Sequence, residues 1–314
     1  MTFGDSTTEA TAHQILDTFC GAGGTLIDTA DVYQFGESER IIGNWLARQN
    51  RDDLVIATKA YGESETGGPV HGAGRKHLIR SVEASLRRLQ TDYLDLFQIH
   101  VFDDGTPFEE TLSTLDTLVR SGKVRFVGAS NYSGWQLQKS IDLAKLHNWE
   151  PFVSLQPLYN LLRRDAELEL LPVCHNEGLG VLCWSPLEGG WLSGKYSPEM
   201  TAPPADSRFA EQPDAWQQQA TTERWQVLEA VHSVADAVDR PVAQVALRWL
   251  LHNPRVTAPI VGARTLDQLR SNLGSAEWSL SEEHLATLDA ASSRPLPYPY
   301  ELQRLPQFVR RPQG

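Results

Sequence analysis

Residues 75–100 read RKHLIRSVEASLRRLQTDYLDLFQIH, and within them the spacing of apolar residues changes from a helical to a strand pattern. Over 75–89 the apolar residues recur every three or four positions, which predicts an amphipathic helix. The members of its apolar face are Leu78, Val82, Leu86 and Leu89. The short apolar run over 94–100 is typical of a buried strand. A helix that leads into such a strand is one unit of a parallel α/β sheet.

The same alternation extends along the chain on both sides of this unit. Short β-branched, apolar runs lie at 25–31, 54–60, 94–100, 124–130, 153–159, 180–186 and 256–263. Amphipathic segments separate them, and one of these, 109–122, ends at Gly122 in a C-cap position. These seven strands, with a short eighth at MTFG (1–4), predict a (β/α)8 TIM barrel.

Two segments interrupt the alternation. Residues 187–220 are rich in Pro, Gln and Asp, and residues 293–314, after the final helix, are Pro-rich. We interpret both as long loops over the C-terminal face of the barrel, and such loops are usually functional or disordered in a compact domain. No internal repeat or change in composition marks a second domain, so residues 1–314 are interpreted as a single domain.

Composition and charge exclude several classes of partner. The net charge of −12 argues against binding to nucleic acid or to an anionic membrane surface. No apolar run is long enough to cross a membrane, and the N-terminus lacks the features of a signal peptide. Cys20, Cys174 and Cys183 lie in apolar stretches without a CxxC pair, which indicates reduced thiols in a cytoplasmic protein. His71 and His77 have no carboxylate or thiol at ligand spacing, so no metal site is predicted.

Ionisable side chains of four types occur at or just after the C-terminal ends of consecutive predicted strands, where barrel active sites form. They are Asp28, Tyr33, Lys59 and His100. Each also has a purely structural alternative. Asp28 could be a helix N-cap or loop anchor, and Tyr33 an interface aromatic. Lys59 could be a solvated strand end, and His100 a loop histidine. Their coincidence in consecutive βα units favours a common site.

The chemistry of such a set is coherent. A buried carboxylate needs a partner, and Asp28 can keep a buried Lys59 charged. The Lys59 ammonium would then lower the pKa of Tyr33 toward the working pH, so that Tyr33 could donate a proton to a carbonyl oxygen. His100 could hydrogen-bond the same oxygen. A set that protonates an oxygen but offers no nucleophile needs a hydride from outside, which nicotinamide cofactors supply.

Sequence blocks that span almost the whole chain resemble, in order, those of the aldo-keto reductase family. The blocks read DTADVYQFGESE, LVIATK, LFQIH, GKVRFVGASNYS, LQPLYN, CWSPLEGGWLSGKY and PIVGARTLDQLRSN. The resemblance implies that Asp28, Tyr33, Lys59 and His100 are the catalytic tetrad. It also implies a (β/α)8 barrel with NADPH bound extended across its C-terminal face, without a Rossmann domain. No GxGxxG follows any predicted strand.

The resemblance also assigns residues to the cofactor. Ser130, Asn131 and Gln156 would hold the nicotinamide carboxamide. Trp184 stands where the family usually has a Tyr that stacks on the nicotinamide ring, and a Trp keeps that flat face; the alternative for Trp184 is barrel core. The segment after it would cover the pyrophosphate through Ser185, Leu187, Gly190 and the charge of Lys195.

The block GARTLDQLRSN would hold the adenosine end of the cofactor. The matching residues are Gly262, Arg264, Thr265, Gln268 and Asn272. Arg264 is the main cation for a 2′-phosphate, which favours NADPH over NADH. Arg270 is interpreted as a candidate second cation or, alternatively, as a solvated surface charge.

The start of the chain departs from the family pattern. Members normally carry an N-terminal hairpin that plugs the barrel floor and then a full first strand, whereas this chain begins within that strand, at MTFG. We expect either a residual strand that closes the barrel imperfectly or a native reading frame that starts upstream. Exposed barrel floor and unpaired strand edges would reduce stability.

These features predict an NADPH-dependent reductase of an aldehyde, ketone or keto-sugar, with Tyr33 as proton donor. Two alternatives remain: an alcohol or sugar dehydrogenase that runs the reverse reaction, and a cofactor-binding regulatory protein such as the potassium-channel β subunits. Specificity is expected in segments 101–107, 187–220 and 293–314. Four aromatic residues there or nearby either line a substrate pocket or pack the loops, namely Trp135, Trp191, Phe209 and Trp216.

Overall fold

A curled parallel sheet forms the centre of the computed structural model, which describes residues 1–62, 71–205, 207, 209–210, 213–305 and 307. Within these residues, seven strands follow one another in chain order, each hydrogen-bonded to the next. They are β1 (Leu26–Asp28), β2 (Val55–Ala60), β3 (Leu94–Ile99), β4 (Val124–Ser130), β5 (Ser154–Gln156), β6 (Gly180–Cys183) and β7 (Ala258–Pro259). A few residues of the predicted loops 187–220 and 293–314 lie outside the described residues, namely 206, 208, 211–212, 306 and 308–314.

Helices connect the strands and pack on the outside of the sheet. They are α1 (Glu9–Gly21), α2 (Glu37–Leu46), α3 (Arg75–Leu89), α4 (Phe108–Arg120), α5 (Gly134–His147), α6 (Leu170–Glu177), α7 (Pro213–Gln219), α8 (Thr222–Val238), α9 (Val242–His252), α10 (Leu266–Leu273), α11 (Glu282–Ser292) and α12 (Tyr300–Gln303). The helix predicted over 75–89 is α3, with the same bounds. This strand–helix alternation confirms the predicted (β/α)8 architecture. None of the helices in the described ranges is both long and apolar enough to span a bilayer.

The register of the sheet brings polar residues to one edge. Lys59 lies opposite Gln98, and Ser130 lies opposite Gln156. Below them a small apolar cluster of Ala57, Leu96 and Leu182 fills the barrel interior, while the main core lies between the sheet and the helices. Because parallel strands end on the same side, the polar strand ends form one surface.

The sheet is open where an eighth strand would close it. In the described residues, β1 and β7 do not pair with each other, and Phe3 makes only an isolated bridge to Thr7. The apolar floor of the barrel is correspondingly exposed, since Phe126 is 57% and Val55 39% exposed. Residues 1–4 therefore pair with neither β1 nor β7, and the short eighth strand expected at MTFG does not form in the described residues.

Most of the aromatic residues near the long loops pack against one another. The Trp191 and Trp216 rings stack with centroids 4.9 Å apart, and Phe209 lies 6.1 Å from Trp191. All three are buried. The loop-packing alternative is therefore correct for this group. Trp135 lies instead in the first turn of α5 and is 59% exposed.

The predicted loops also contain regular structure. A 3-10 helix (Glu188–Ser193) and α7 lie within 187–220, and α12 lies within 293–314. The Pro and Gln content of these segments does not prevent short helices, because tertiary packing overrides weak local propensity.

Gly43 gives a test of the packing between α2 and α3. A Cβ atom there would lie 2.9 Å from the Leu89 Cα and closer still to the Arg88 carbonyl oxygen. We predict that Gly43→Ala lowers the free energy of unfolding by about 1–3 kcal/mol, because the added methyl group overpacks this contact. The overpacking outweighs the higher helix propensity of alanine, which exceeds that of glycine by about 1 kcal/mol. Gly21→Ala in α1 is the control, because no atom lies within 4 Å of its Cβ position. Denaturant unfolding that ranks the two variants equal would contradict this account.

Candidate active site

Four ionisable side chains meet at the C-terminal edge of the sheet. The fully buried Lys59 donates from Nζ to Asp28 Oδ2 at 2.6 Å and to the Thr29 carbonyl at 2.7 Å. The Tyr33 ring centroid lies 5.2 Å from Lys59 Nζ and 5.9 Å from the His100 ring centroid. The structure thus brings together the four residues that the sequence places at separate strand ends.

A tight turn carries Tyr33 back over the strands. The backbone N–H of Asp31 donates to the Lys59 carbonyl at 3.0 Å, and the N–H of Tyr33 donates to the Ala30 carbonyl at 3.1 Å. Gln34 and Phe35 then adopt left-handed backbone conformations, with φ of 50° and 53°. Such conformations are costly for residues other than glycine and cluster at functional sites. The turn therefore stores strain to hold Tyr33 at this position.

Asp28 uses both carboxylate oxygens. Oδ2 accepts from Lys59, and Oδ1 accepts from Gln156 Nε2 at 2.9 Å and from Gln98 Nε2 at 3.3 Å. Burial acts to lower the pKa of Lys59, but the charge of Asp28 and the contacts with Asp28 and Tyr33 raise it, and the net shift is upward. Lys59 is therefore a cation at neutral pH, as predicted from the sequence.

The pKa of Tyr33 differs from expectation. Burial raises it, Lys59 lowers it through its charge and a hydrogen bond, and Asp28 raises it again, for a net increase. The prediction that Lys59 lowers the pKa of Tyr33 toward the working pH is therefore wrong, because desolvation outweighs the ammonium. Tyr33 is protonated at neutral pH. Burial and then Lys59 lower the pKa of His100 to about 4, so its imidazole is neutral.

Hydrogen bonds tie the predicted nicotinamide residues to this cluster. Asn131 Nδ2 donates to the His100 carbonyl at 2.9 Å, and Asn131 Oδ1 accepts from Trp184 Nε1 at 3.1 Å. Ser130 Oγ donates to the Gln156 carbonyl at 2.8 Å. Trp184 is half-buried at the strand end, not inside the barrel core. The sequence did not reveal that Gln156 also contacts Asp28, since the two are far apart in the chain.

The predicted pyrophosphate segment is a compact loop after β6. Ser185 and Gly190 have positive φ, and a Cβ atom on Gly190 would lie 2.9 Å from Lys195 Nζ. Leu187 packs on the main core. Gly190 therefore gives the Lys195 ammonium room to lie against the backbone of the loop.

Glu188 anchors this loop, although it is not among the residues predicted from the sequence. Glu188 is 8% exposed, and its carboxylate accepts from Asn160 Nδ2 at 2.8 Å, Arg224 Nη2 at 2.9 Å and Arg163 Nε at 3.3 Å. Asn160 also donates to the Ser185 carbonyl at 2.9 Å. The loop is thus fixed to α8 by a buried ion pair. No local motif signals this pairing.

The predicted adenosine residues surround the start of α10. The Arg264 N–H donates to Gln268 Oε1 at 2.8 Å, and the N-cap Thr265 accepts from the Gln268 N–H at 3.2 Å. Asn272 is buried, whereas open space surrounds Gly262. Arg270 is exposed and lies 3.6 Å from Asp267, as a solvated surface charge would.

These residues fit an extended dinucleotide. An open, glycine-lined strand end and a capped helix N-terminus suit the phosphates, and the half-buried Trp184 face suits a flat ring. No group of three metal-ligating side chains occurs in the part of the chain that the structure describes.

Comparisons with known proteins identify the family to which the chain is similar. The model of the aldo/keto reductase family matches residues 1–293. An uncharacterized oxidoreductase of Bacillus subtilis, YrpG, is 40% identical over 92% of this chain and 89% of its own length. Norsolorinic acid reductase of Aspergillus flavus is 33% identical over 93% of this chain and 74% of its own. Aryl-alcohol dehydrogenase GME11368 of Pestalotiopsis microspora is 31% identical over 98% and 79%.

A second buried acid lies directly behind the site. Asp31 is fully buried, close to Glu39, whose carboxylate accepts from Thr58 Oγ1 at 2.6 Å and from Arg88 Nε at 2.7 Å. Burial and then the Glu39 charge raise the pKa of Asp31 to about 7, although Arg88 lowers it. Asp31 therefore ionises inside the protein near neutral pH.

We predict that Asp31→Asn changes how stability depends on pH. Because the pKa of Asp31 is higher in the folded than in the unfolded chain, its protonated form stabilises the protein below about pH 4. That contribution is lost as the pH rises through about 7. The free energy of unfolding of the wild type should therefore fall, relative to the variant, by about 2–3 kcal/mol between pH 5 and 8. Urea unfolding that gives the same difference at both pH values would refute this.

Proposed function

We propose that this chain, which belongs to the aldo/keto reductase family, reduces an aldehyde, ketone or keto-sugar to the alcohol with NADPH. The family carries out NAD(P)H-dependent carbonyl reduction, and the proposal adds the cofactor form, the direction and the residues. One observation carries it: a protonated Tyr33 lies over the buried Lys59–Asp28 pair and beside a neutral His100.

Tyr33 donates the proton in this proposal. A carbonyl oxygen placed between Tyr33 and His100 accepts a hydrogen bond from each. As negative charge develops on that oxygen, the Tyr33 proton moves to it, and the Lys59 ammonium stabilises the phenolate left behind. Asp28 keeps Lys59 charged throughout, because both of its oxygens stay hydrogen-bonded inside the sheet.

The cofactor residues act by binding and orienting. When bound, the nicotinamide cofactor supplies the hydride that reduces the carbonyl carbon. Gln156 commits Nε2 to Asp28, so its Oε1 is the atom that can accept from a carboxamide. The Trp184–Asn131 hydrogen bond fixes the plane of the indole. The further contacts come from Ser130, Ser185, Leu187, Gly190, Lys195, Gly262, Arg264, Gln268 and Asn272.

The raised pKa of Tyr33 keeps its phenol protonated at neutral pH, which is the form that reduction uses. Oxidation of an alcohol needs Tyr33 as a base, and burial disfavours the phenolate. An alcohol dehydrogenase that uses the same residues is the second candidate, because one relative is named an aryl-alcohol dehydrogenase. For the same reason an aryl aldehyde should be among the carbonyl compounds tested as substrates.

We also propose that residues 1–314 form one cytoplasmic domain. Cys20, Cys174 and Cys183 are free thiols, as expected for a reducing compartment. Burial raises the pKa of both Cys174 and Cys183 to about 12, which keeps them unreactive.

Tyr33→Phe tests the proposed proton donor. We expect turnover of every reduced carbonyl to fall about 10²–10⁴-fold, while NADPH binding, followed by fluorescence, is unchanged. Tyr93→Phe is the control, because Tyr93 directly precedes β3, at the opposite end of the barrel, where its hydroxyl donates to Asp52. An unaltered rate in Tyr33→Phe would overturn the mechanism. A wild type that binds NADPH but reduces no carbonyl would favour a regulatory protein.

Arg264→Ala tests the cofactor preference. Loss of a charge-assisted contact to a 2′-phosphate should raise KM for NADPH about tenfold or more, with KM for NADH little changed. Arg270→Ala is the matched control on α10, the helix that follows Arg264, since Arg270 is exposed and lies 3.6 Å from Asp267. If both variants keep the wild-type ratio of the two KM values, Arg264 does not read the phosphate.

A further inference from the structure

Helix α5 carries large apolar side chains on both its inner and its outer face. Its inner face is buried on the core through Leu137, Ile141 and Ala144. On its outer face Trp135 is 59% and Leu146 76% exposed. This outer face is a shallow depression of about 410 Å³ lined by Trp135, Gln138, Lys139, Asp142, Leu143 and Leu146. Large apolar side chains grouped on a surface commonly mark an interaction site.

The outer face is complementary to itself. Helix α5 runs from Gly134 to His147, so its midpoint lies between Ser140 and Ile141. If two copies of α5 pair antiparallel with the two-fold axis at this midpoint, each residue faces the one equally far beyond it. Trp135 then faces Leu146, and Lys139 faces Asp142, each contact occurring twice. The positions 135, 139, 142 and 146 are also spaced four, three and four residues apart, as in a helix-packing seam.

We propose that this face binds the same face of a second copy of the chain, giving an antiparallel, two-fold symmetric dimer across α5. A two-fold interface uses one patch on both subunits, and here each apolar and each charged residue finds its complement on the same patch. The two Lys139–Asp142 pairs near the axis fix the register, since any shift along the helix separates them. The antiparallel arrangement also sets the two helix dipoles in opposition.

Self-complementarity favours a second copy over a different partner. Binding of a different protein places no symmetry requirement on this face, whereas a two-fold dimer requires a patch that is complementary to itself about one point. The charges also balance locally, so the pairing avoids the repulsion that the net charge of −12 would otherwise cause.

The interface is small, so the dimer is weak. A 14-residue helix is about 21 Å long, and one pair of such helices buries less than the ~1,200 Å² of stable complexes. Within a single chain Lys139 also lies 4.4 Å from the Phe108 ring centroid, and Gln138 donates to Asp142 at 2.9 Å. These contacts compete with the dimer contacts, so association should depend on protein concentration.

Charge reversal on α5 tests the pairing. In sedimentation velocity over a concentration series, the wild type should pass from monomer to dimer. Lys139→Asp and Asp142→Lys should each remain monomeric, because like charges then face each other across the axis. An equimolar mixture of the two variants should dimerise again, since the acidic pair of one variant faces the basic pair of the other. If a substitution instead acted only within its own chain, for example by destabilising the fold, mixing the two variants would not restore the dimer.

Two further variants complete the test. Leu146→Ser should weaken association without changing charge, and Lys76→Asp on α3, another exposed lysine, should associate like the wild type. Thermal unfolding should show that all variants are folded. A wild type that stays monomeric up to about 1 mM, single reversals that still dimerise, or a mixture that stays monomeric would each overturn the proposal.

Discussion

The buried ion pair between Lys59 and Asp28 is the interaction on which the site depends. Neither side chain can be charged here alone, because removing one partner of a buried pair costs about 3–5 kcal/mol. The pair is assembled by strands β1 and β2, and amide groups on β3 and β5 complete the shell of Asp28. The sheet must therefore curl far enough to bring β1 and β5 together, and the chemistry at its edge follows from that curvature.

The same burial decides what Tyr33 can do. A phenol beside an ammonium in water would lose its proton more easily, but here desolvation is the larger effect and the pKa rises. The ammonium therefore does not create a phenolate at rest; it lowers the cost of forming one when the proton leaves. His100 follows the same logic, since burial and Lys59 keep it neutral and available as a hydrogen-bond partner. Both states are those that reduction of a carbonyl requires.

Much of the fold and the four central residues could be predicted from local pattern alone. Periodicity gave α3 its bounds, and strand ends gave Asp28, Lys59 and His100, because both signals are confined to a few consecutive residues. The direction of the Tyr33 shift could not be predicted, since it depends on how deeply distant segments bury the ring. Glu188 was missed for a related reason: its partners lie 28 and 36 residues away, and no spacing rule joins them. Contacts between residues far apart in the chain could therefore not be predicted from local sequence patterns.

Packing between outer helices connects the two edges of the sheet at the opening between β1 and β7. Asp28 lies on β1, an edge strand, and Arg264 follows β7, the other edge. Across the opening, Ile15 of α1 packs with Ala263 and with Leu269 of α10 in a separate apolar cluster. This contact joins the two edges where no strand pairs them in the described residues. Across the opening the two edges are therefore held by helix packing, which is softer than the hydrogen-bonded ladder that links β1 to β7 around the rest of the sheet.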